Sequence, residues 1–477
     1  MLSEGIIKDF GLKSKFKIWF KIFIGFISCA VFLVLLVCST PVYIFRLLAI
    51  QVAKWFRPDL GEILNALSSI LSNDLFSGKV PRCTLVVPMT LQGHWTLEEL
   101  REIILERWIK ARDKNNGELI YQKFCQYPYR WLGFTFWKQD ENFDLNHHIH
   151  YHENSFEIVY SEKLNELVES LLNEPYKPSK SPWEFHYLAN FRNTQDTARY
   201  YTSDVPTFAL VLKIHHSLAD GFSLLSAIVE GLGGQSLENM KLPSPAKSPK
   251  LTLLEQIIFF LTFPIKLFSE VLGKSFPKSY QRYPWLISDK RKAWWQLYGK
   301  SQLIPIWQVK DIKNAFGVTF TSVLLSAISS GIHQDLEKRR KSIKESYNGH
   351  MPCVSVLPVP GHNRRLTNHA TSALLSLPTT SFSDPGSRLK ACDVLLRNGK
   401  NSVVPYFVRF LQAAIGCHLY RVCHAFSKNH MISTGLTNFP GLPIKIGIGN
   451  AKGISVDFAA GALEGNAGNI CLIKFGF

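Results

Sequence analysis

The chain has 477 residues, of which 46% are hydrophobic, and its formal net charge is +17. This length can hold two domains and bury a large core, and the hydrophobic fraction is too low for a protein that crosses a membrane many times. The basic excess suits an anionic membrane surface or the phosphates of a bound ligand. Nucleic acid is not indicated as a partner, because the sequence has no zinc-finger spacing and no RNA-binding signature.

The nine cysteines do not form a recognisable pattern. Their number is odd, they are scattered and no CxxC pair occurs, so neither a disulfide framework nor a zinc site is indicated. The sequence also has no Asn-x-Ser/Thr sequon. Both observations favour a main domain that faces a reducing compartment without glycosylation.

The first element in chain order is a long apolar run near the N-terminus. Residues 22–45 carry no charge, and 24 residues suffice to cross the hydrocarbon core, which needs about 20. Lysines precede the run, Arg46 and Lys54 follow it, and Pro41 is expected to end or kink the helix. We therefore predict that residues 1–60 form a membrane anchor, either a single span or a hairpin.

Three further segments follow the anchor. Residues 80–232 show an α/β pattern, with a strand at Cys83 to Pro88 and a helix at Leu97 to Trp108 that Thr96 caps. Residues 233–300 predict a linker and then an apolar helical stretch, which fits a membrane-surface helix or a core helix. Residues 301–477 predict a second α/β half.

The first half ends in a segment with several side chains that can exchange protons. Phe208 to Ile214 is an apolar strand pattern, and a helical pattern starts at Phe222. Because side chains on a strand alternate, His216 should share a face with the larger apolar residues, while Lys213 and His215 point the other way. Three interpretations are open: a core histidine beside a turn that Asp220 caps, a metal site, or a neutral imidazole that takes a proton from a hydroxyl.

The complete pattern His215-His216-Ser217-Leu218-Ala219-Asp220-Gly221 resembles the active-site motif of the CoA-dependent acyltransferase superfamily. Other segments narrow the resemblance to the wax ester synthase/diacylglycerol acyltransferase family, and it covers residues 80 to 477. These segments are residues 137–140, 143–148, 181–184, 351–356, 368–369, 377–378 and 437–443.

The resemblance implies two chloramphenicol-acetyltransferase-like α/β halves with a tunnel between them. His216 would act as the general base, and Asp220 would brace the loop, for example through an arginine. Gly221 would allow a close approach of the backbone. Asn438 would either polarise the thioester carbonyl or serve as a turn residue before Pro440. His215 belongs to the same motif.

The resemblance also implies the partners. The donor would be acyl-CoA, the acceptor a long-chain alcohol or a diacylglycerol, and no metal or redox cofactor would be required. The catalytic part would then face the cytosol, where acyl-CoA is made, on a membrane such as that of the endoplasmic reticulum. Transfer to a small amine or to carnitine fits the apolar character less well.

Two departures from the family pattern favour an alternative. The family has an Asn-Asp pair at the start of a helix, where this chain has Thr321 and Ser322, and the terminal helix expected after Phe477 is missing. Thr321 or Ser322 can still cap a helix. The alternative is a membrane-anchored lipid-binding protein that kept the fold and lost turnover.

Four further histidines lie close together at positions 147, 148, 150 and 152. Spacing by two would place three of them on one face of a strand, which permits a metal site. No cysteine or carboxylate set lies beside them in the sequence, and the family resemblance accounts for His148 as a structural or tunnel-lining residue. The metal interpretation is therefore the weaker of the two.

Overall fold

The computed structural model describes most of the chain, with internal gaps. The described residues are 23, 26–27, 30, 33–34, 37–77, 80–152, 157–192, 206–236, 252–254, 262–263, 266–267, 270, 296–299, 304–339, 349–359, 361–362, 365–400, 402–427, 434–439, 446–461 and 469–474. The basic clusters before residue 22 and at residues 290–292 lie outside them, as does most of the 233–250 linker.

The chain is a mixed α/β protein, as predicted, and its largest sheet has six strands. These strands are β2 Thr84–Gln92, β5 Ile149–Tyr151, β7 Trp183–Leu188, β9 Thr207–His215, β13 Lys452–Val456 and β14 Ala459–Ala460. Strands β13, β2, β9, β7 and β5 follow one another in that order, and β14 also pairs with β2. Two of these strands come from the C-terminal part of the chain, so the polypeptide crosses back into the first sheet.

Both faces of this sheet are buried, which explains the continuous apolar strands. The residues of β9 alternate between two cores: Leu210 and Leu212 belong to the larger one, while Ala209 and Val211 belong to the smaller one. The larger core contains Trp108 and its aromatic neighbours, and the hydrophobic effect of burying them is the main force that holds this half together.

Helix α4 (Ser161–Leu172) closes the smaller core with its leucine face. A two-stranded sheet lies beside it, formed by the parallel strands β6 (Val159–Tyr160) and β8 (Phe191–Arg192). Val159 and Phe191, which face each other in this pair, are both buried in the same core. The small sheet therefore completes the apolar cover of the first sheet on this side.

Helix α3 (Leu97–Ile104) shows how closely local sequence determines an element. The Thr96 side chain accepts a hydrogen bond from the backbone N–H of Glu99, and the Glu99 carboxylate accepts one from the backbone N–H of Thr96. This reciprocal capping box satisfies two N–H groups at the start of the helix. The predicted start of the helix and its cap are confirmed. A π-helical turn continues helix α3 from Leu105 to Ile109.

The second sheet has four strands. Their bounds are β10 His350–Pro358, β11 Ala370–Pro378, β12 Thr434–Phe439 and β15 Asn469–Lys474, and they lie in the order β11, β10, β12, β15. The helices of this half are α6 Ile306–Phe316, α7 Phe320–Arg339, α8 Pro385–Lys400, α9 Val404–Gly416 and α10 Tyr420–Ser427. Leucine side chains of β11 and α7 form its core around Met351 and Cys353.

The N-terminal helix does not stand apart from the body of the protein. Helix α1 (Val37–Phe56) continues through Pro41, so the expectation that Pro41 ends the helix is wrong. Ala49 and Ala53 pack against a three-stranded sheet formed by β1 (Leu60–Ile63), β4 (Phe134–Gln139) and β3 (Gln126–Trp131). In the described part of the chain, α1 is the single unbroken helix long and apolar enough to cross a membrane, and these properties alone are weak evidence for a span.

The second half packs on the segment that precedes the first half, where α9 meets helix α2 (Ala66–Leu71). Gly416, at the end of α9, lies so close to the backbone of Ala66 that a Cβ at this position would collide with the Ala66 carbonyl group. No side chain fits there without a backbone shift. The glycine therefore sets how closely the second half approaches the segment that precedes β2.

We expect Gly416→Ala to lower the free energy of unfolding by about 1–3 kcal/mol, because the new methyl group overpacks a backbone contact. Gly331 is the matched control. It lies exposed within α7, and a methyl group added there would meet no atom within 4 Å, so Gly331→Ala should be neutral or stabilising by up to about 1 kcal/mol. Thermal unfolding of the full chain in detergent measures both, and equal stability of the two variants would contradict the close contact.

Candidate active site

The double histidine lies where β9 ends and a helix begins, as predicted. His215 is the last residue of β9, and helix α5 (Gly221–Ser226) follows after a turn and continues as a wider helical turn to Leu232. The backbone N–H of His216 donates to the carbonyl of Cys83 (2.7 Å), next to the start of β2. The two imidazoles therefore leave the chain on opposite sides of the sheet edge, in different surroundings.

His215 is fully buried and uses both ring nitrogens. Its Nδ1 accepts a hydrogen bond from the backbone N–H of Ser217 (3.2 Å), which leaves Nε2 as the protonated nitrogen. Nε2 donates to the Asp74 carboxylate at 2.8 Å. The other oxygen of Asp74 accepts from the backbone N–H groups of Arg82 and Cys83. His215 thus ties the turn to the start of β2, and no lone pair remains for catalysis.

His216 is half-buried, and a side-chain amide from the second half of the chain holds its ring. Its Nδ1 lies 3.0 Å from Oδ1 of Asn368. The amide cannot be flipped, because Nδ2 of Asn368 faces the carbonyl oxygens of His216 (2.7 Å) and Ser217 (3.1 Å), which can only accept. Oδ1 is therefore the acceptor and His216 Nδ1 the donor.

This arrangement leaves the lone pair of His216 on Nε2, which makes no hydrogen bond to any residue that the structure describes. Burial lowers the pKa of His216 below its usual value, so the ring is uncharged at neutral pH. A neutral imidazole with a fixed tautomer and a free Nε2 can accept a proton from a hydroxyl group. The geometry of His216 is therefore suited to a general base.

Asp220 braces the turn, but its partner is a histidine. It caps α5 by accepting from the backbone N–H of Ser223 (2.8 Å), and it accepts from the backbone N–H of His369 (2.7 Å). Nε2 of His362 lies 3.2 Å from both carboxylate oxygens, in place of the expected arginine. Burial raises the pKa of Asp220, but these donors outweigh burial and hold that pKa below its usual value.

Gly221 is the first residue of α5, where the backbone is right-handed helical, so a left-handed turn is not the reason for glycine here. Its expected role in allowing a close approach of the backbone stays a prediction. Asn438 lies in β12, where it pairs with Ile473 of β15. Its side chain lies outside the described residues, and its role at a carbonyl oxygen also stays a prediction.

Thr321 and Ser322 lie in the first turn of α7. The Ser322 hydroxyl is buried and donates to the Asp393 carboxylate at 2.6 Å. The cap expected from this pair is provided by Thr319, whose hydroxyl accepts from the backbone N–H of Ser322 (3.2 Å). Ser322 therefore joins α7 to α8, which is a structural role.

The four-histidine patch divides into separate environments. His147 is exposed, whereas His148 stacks on Trp183 and on Phe143, with ring centroids 4.5 and 5.0 Å apart. His148 therefore packs into the aromatic core as a structural residue. His150 and His152 lie on and just after β5, beside His186 of β7.

A surface cleft of about 310 Å³ lies beside α3, lined by Trp95, Asn450, Arg107 and three glutamates. Strand β2 begins near His216 and ends just before Trp95. Its nine residues span about 26 Å, so at least this distance separates Trp95 from the start of the strand. This cleft is therefore separate from the histidine site. The tunnel between the halves stays a prediction.

The second half reaches this site through the segment between β10 and β11. The backbone N–H of Asp220 donates to the carbonyl of Thr367 (3.0 Å), and the Ser223 hydroxyl donates to the same carbonyl (2.8 Å). Asn65, which precedes the first half, also donates to the Thr367 hydroxyl at 2.9 Å. Together with the bonds of Asn368, these contacts place His216 at the junction of the two halves.

Comparison with known proteins gives the fold. No family model and no curated protein sequence matches the chain. The wax ester synthase/diacylglycerol acyltransferase from Marinobacter aquaeolei VT8 has a similar structure, with a TM-score of 0.51 and 16% identity, over 86% of this chain and 90% of that one. The trichothecene 15-O-acetyltransferase from Fusarium sporotrichioides gives 0.53 and 12%, over 87% and 88%. The chain therefore has the two-domain, chloramphenicol-acetyltransferase-like fold predicted from its sequence.

We expect His215→Ala to destabilise the protein by about 1–3 kcal/mol, because it removes two buried hydrogen bonds and leaves the Asp74 carboxylate without its imidazole partner. Thermal unfolding measures the loss. His216→Ala removes one side-chain hydrogen bond from a half-buried ring and should cost less stability. If His216→Ala were the more damaging of the two, the assignment of His215 as the structural histidine would be wrong.

Proposed function

We propose that the protein is an O-acyltransferase that transfers a fatty acyl group from acyl-CoA to a long-chain alcohol or a diacylglycerol, forming a wax ester or a triacylglycerol. The observation that carries the proposal is the His216 imidazole, neutral, with its tautomer held by Asn368 and Nε2 open. The acyltransferase fold supports it, since general-base transfer between two bound substrates fits a site at the junction of two halves.

In this mechanism, Nε2 of His216 takes the proton of the acceptor hydroxyl as the oxygen attacks the thioester carbonyl carbon. The carbon–sulfur bond then breaks, and the same nitrogen returns the proton to the departing CoA thiolate. Proton transfer of this kind contributes about 10²–10⁴-fold to the rate. Asn438, near the end of β12, is the proposed donor to the carbonyl oxygen, where negative charge develops.

An apolar surface supports a lipid acceptor. Ile44, Leu47 and Leu48 of α1 are exposed on the side away from Ala49, and Tyr406 and Phe410 are exposed on α9. The two helices are neighbours, since the Tyr43 hydroxyl donates to the carbonyl of Ala414 (3.4 Å). Exposed apolar side chains on two neighbouring helices are typical of contact with a membrane.

We therefore propose that α1 and α9 contact one bilayer, on the cytosolic side of a membrane such as that of the endoplasmic reticulum. Arg46, which follows the apolar run, also joins α1 to the body of the protein, because its guanidinium donates to the carbonyl of Leu64 at 2.9 Å. A bilayer position would bring alcohols and diacylglycerols, which dissolve in lipid, to the protein. Apolar contacts alone do not discriminate between a long-chain alcohol and a diacylglycerol, because each methylene group changes the free energy of binding by only about 0.8 kcal/mol.

The lipid-binding alternative depends on the Thr321-Ser322 pair. The bond from Ser322 to Asp393 gives this pair a structural reason to differ from an amide and a carboxylate. The substitution therefore does not by itself favour loss of turnover, and a measurement of acyl transfer distinguishes the two functions.

We expect membranes that contain the protein to release CoA from palmitoyl-CoA when hexadecanol or diolein is added. His216→Ala should lower this release by about 10²–10⁴-fold, because it removes the proposed base. The faster acceptor identifies the activity. Release of CoA is followed with a thiol reagent, and the ester product is identified by mass spectrometry.

His147→Ala is the matched control, since His147 is exposed and outside the site, and it should keep wild-type activity. Protein amounts are compared on immunoblots. A folded wild-type protein that binds palmitoyl-CoA and forms no ester with either acceptor would favour the lipid-binding alternative. Ester formation unaffected in His216→Ala would exclude His216 as the base.

Asn368→Ala should lower kcat by about tenfold or more with little change in KM, because the ring of His216 loses its orientation while the substrate surfaces remain. Loss of the Asn368 acceptor also removes a contact that raises the pKa of His216. The base is active when unprotonated, so activity falls as the pH drops through this pKa. We expect the acid limb of kcat/KM below the usual imidazole value of about 6.5 in the wild type and at still lower pH in the variant.

Asn65→Ala tests whether this effect is specific. Asn65 caps α2 and bonds to residues 367 and 368, but it does not contact His216. Its replacement should cost about 1 kcal/mol of stability and leave the pH profile unchanged. The same pH profile shift in both variants would show that Asn368 acts only through the local fold.

A further inference from the structure

A second cluster of titratable side chains lies on the first sheet, away from His216. Strand β5 pairs in parallel with β7 at the edge of the sheet, and His150 lies directly beside His186 in this register. Glu184 precedes His186 by two residues on the same strand, so its side chain lies on the same face. The neighbouring residues Ile149 and Phe185 point into the larger core on the opposite face.

The three side chains converge. One ligand atom from each of His150, Glu184 and His186 lies within 4.8 Å of the other two. The imidazole rings of His150 and His186 are 4.5 Å apart between centroids, at an angle of 84°. A tetrahedral zinc ion with bonds of about 2.0–2.1 Å places its ligand atoms about 3.3 Å apart, so small side-chain rotations would close this cluster around one ion.

His186 supplies an independent observation. Its side chain is 9% exposed, and its Nε2 has no hydrogen-bond partner among the residues that the structure describes. The nearest carboxylate oxygen, Oε1 of Glu184, is 3.8 Å away, which is too far for a hydrogen bond. A buried ring nitrogen without a partner costs free energy, and an ion between the nitrogen and the carboxylate would remove that cost.

The electrostatic surroundings permit a cation. Lys213 of β9 donates to Glu184 at 2.7 Å, and β9 flanks β7 on the side away from β5, so the ammonium does not occupy the space between the histidines. Glu174 lies 3.8 Å from the same ammonium, so a second carboxylate shares the charge of Lys213. Lys213 would hold the ligating carboxylate in place, as outer-shell partners do in metal sites.

The chemistry of the three side chains also fits. Two imidazoles and one carboxylate are a ligand set that zinc accepts, with a fourth position for water. His150 and Glu184 are partly exposed, which gives an ion a path from solvent.

We propose that His150, Glu184 and His186 bind one divalent transition-metal ion of the zinc type, which joins the short edge strand β5 to β7. The site is separate from the proposed chemistry. His186 pairs with Val211 of β9, five residues before His216, which corresponds to about 16 Å along the strand. The ion therefore stabilises the sheet edge and takes no part in acyl transfer.

The test uses the full chain without an affinity tag, purified in detergent, treated with a chelator and dialysed. Co²⁺ is titrated and followed by its visible absorption, and bound Zn²⁺ is counted by mass spectrometry after gel filtration. We expect one equivalent of metal on the wild type. His150→Gln and His186→Gln should weaken binding at least about 100-fold, because each removes a direct ligand. His147→Gln, three residues away on the exposed side, should bind like the wild type.

The melting temperature gives a second readout. Zn²⁺ should raise the Tm of the wild type and of His147→Gln, and it should leave the Tm of His150→Gln unchanged. If His186→Gln does not fold, His150→Gln decides, because His150 is only partly buried on an edge strand. No stoichiometric binding to the wild type, or equal binding to the wild type and His150→Gln, would overturn the proposal.

Discussion

The arrangement of the candidate site depends on one side-chain amide. Asn368 comes from the second half of the chain, is almost fully buried, and bonds to the ring and the backbone carbonyl of His216. Both ends of the amide are used, so rotation would set oxygen against oxygen inside the protein. Because a buried polar group without a partner costs about 1–3 kcal/mol, the amide has one stable orientation, and the imidazole has one stable tautomer as a result.

The neighbouring histidine shows why two identical residues in sequence differ in chemistry. His215 is fully buried, and both its nitrogens are hydrogen-bonded, one to Asp74 and one to the Ser217 backbone. Of the two ring nitrogens of His216, only Nδ1 makes a hydrogen bond to a residue that the structure describes. The difference follows from the alternation of side chains along β9, which turns adjacent residues to opposite faces. The first histidine serves the fold, and it does so by holding the turn that presents the second.

The sequence was sufficient for the elements whose signals are local. The strand before His215, the helix after Asp220 and the capping box at Thr96 were all predictable from alternation, capping residues and periodicity. The partners of these residues were not, because they depend on contacts across long stretches of chain. Asp74 lies 141 residues from His215, and Asn368 lies 152 residues from His216. His362 takes the place expected for an arginine, since an imidazole N–H and a guanidinium N–H can both donate to a carboxylate.

Contacts between distant parts of the chain also form the second histidine cluster, so the sequence around His150 does not reveal it. His150 is far from Glu184 and His186 along the chain, and these two residues reach it only because β7 pairs with β5 in parallel register. Sheet pairing thus brings together both candidate sites: one where β9 ends beside β2, and one at the β5 edge. The two clusters differ in the hydrogen-bond partners that the protein provides for the imidazole nitrogens. At His216 an amide from the other half completes the geometry, so any change in the packing of the halves reaches the proposed base. At His186 the described residues offer no donor or acceptor to Nε2, and an ion is the partner that its surroundings fit.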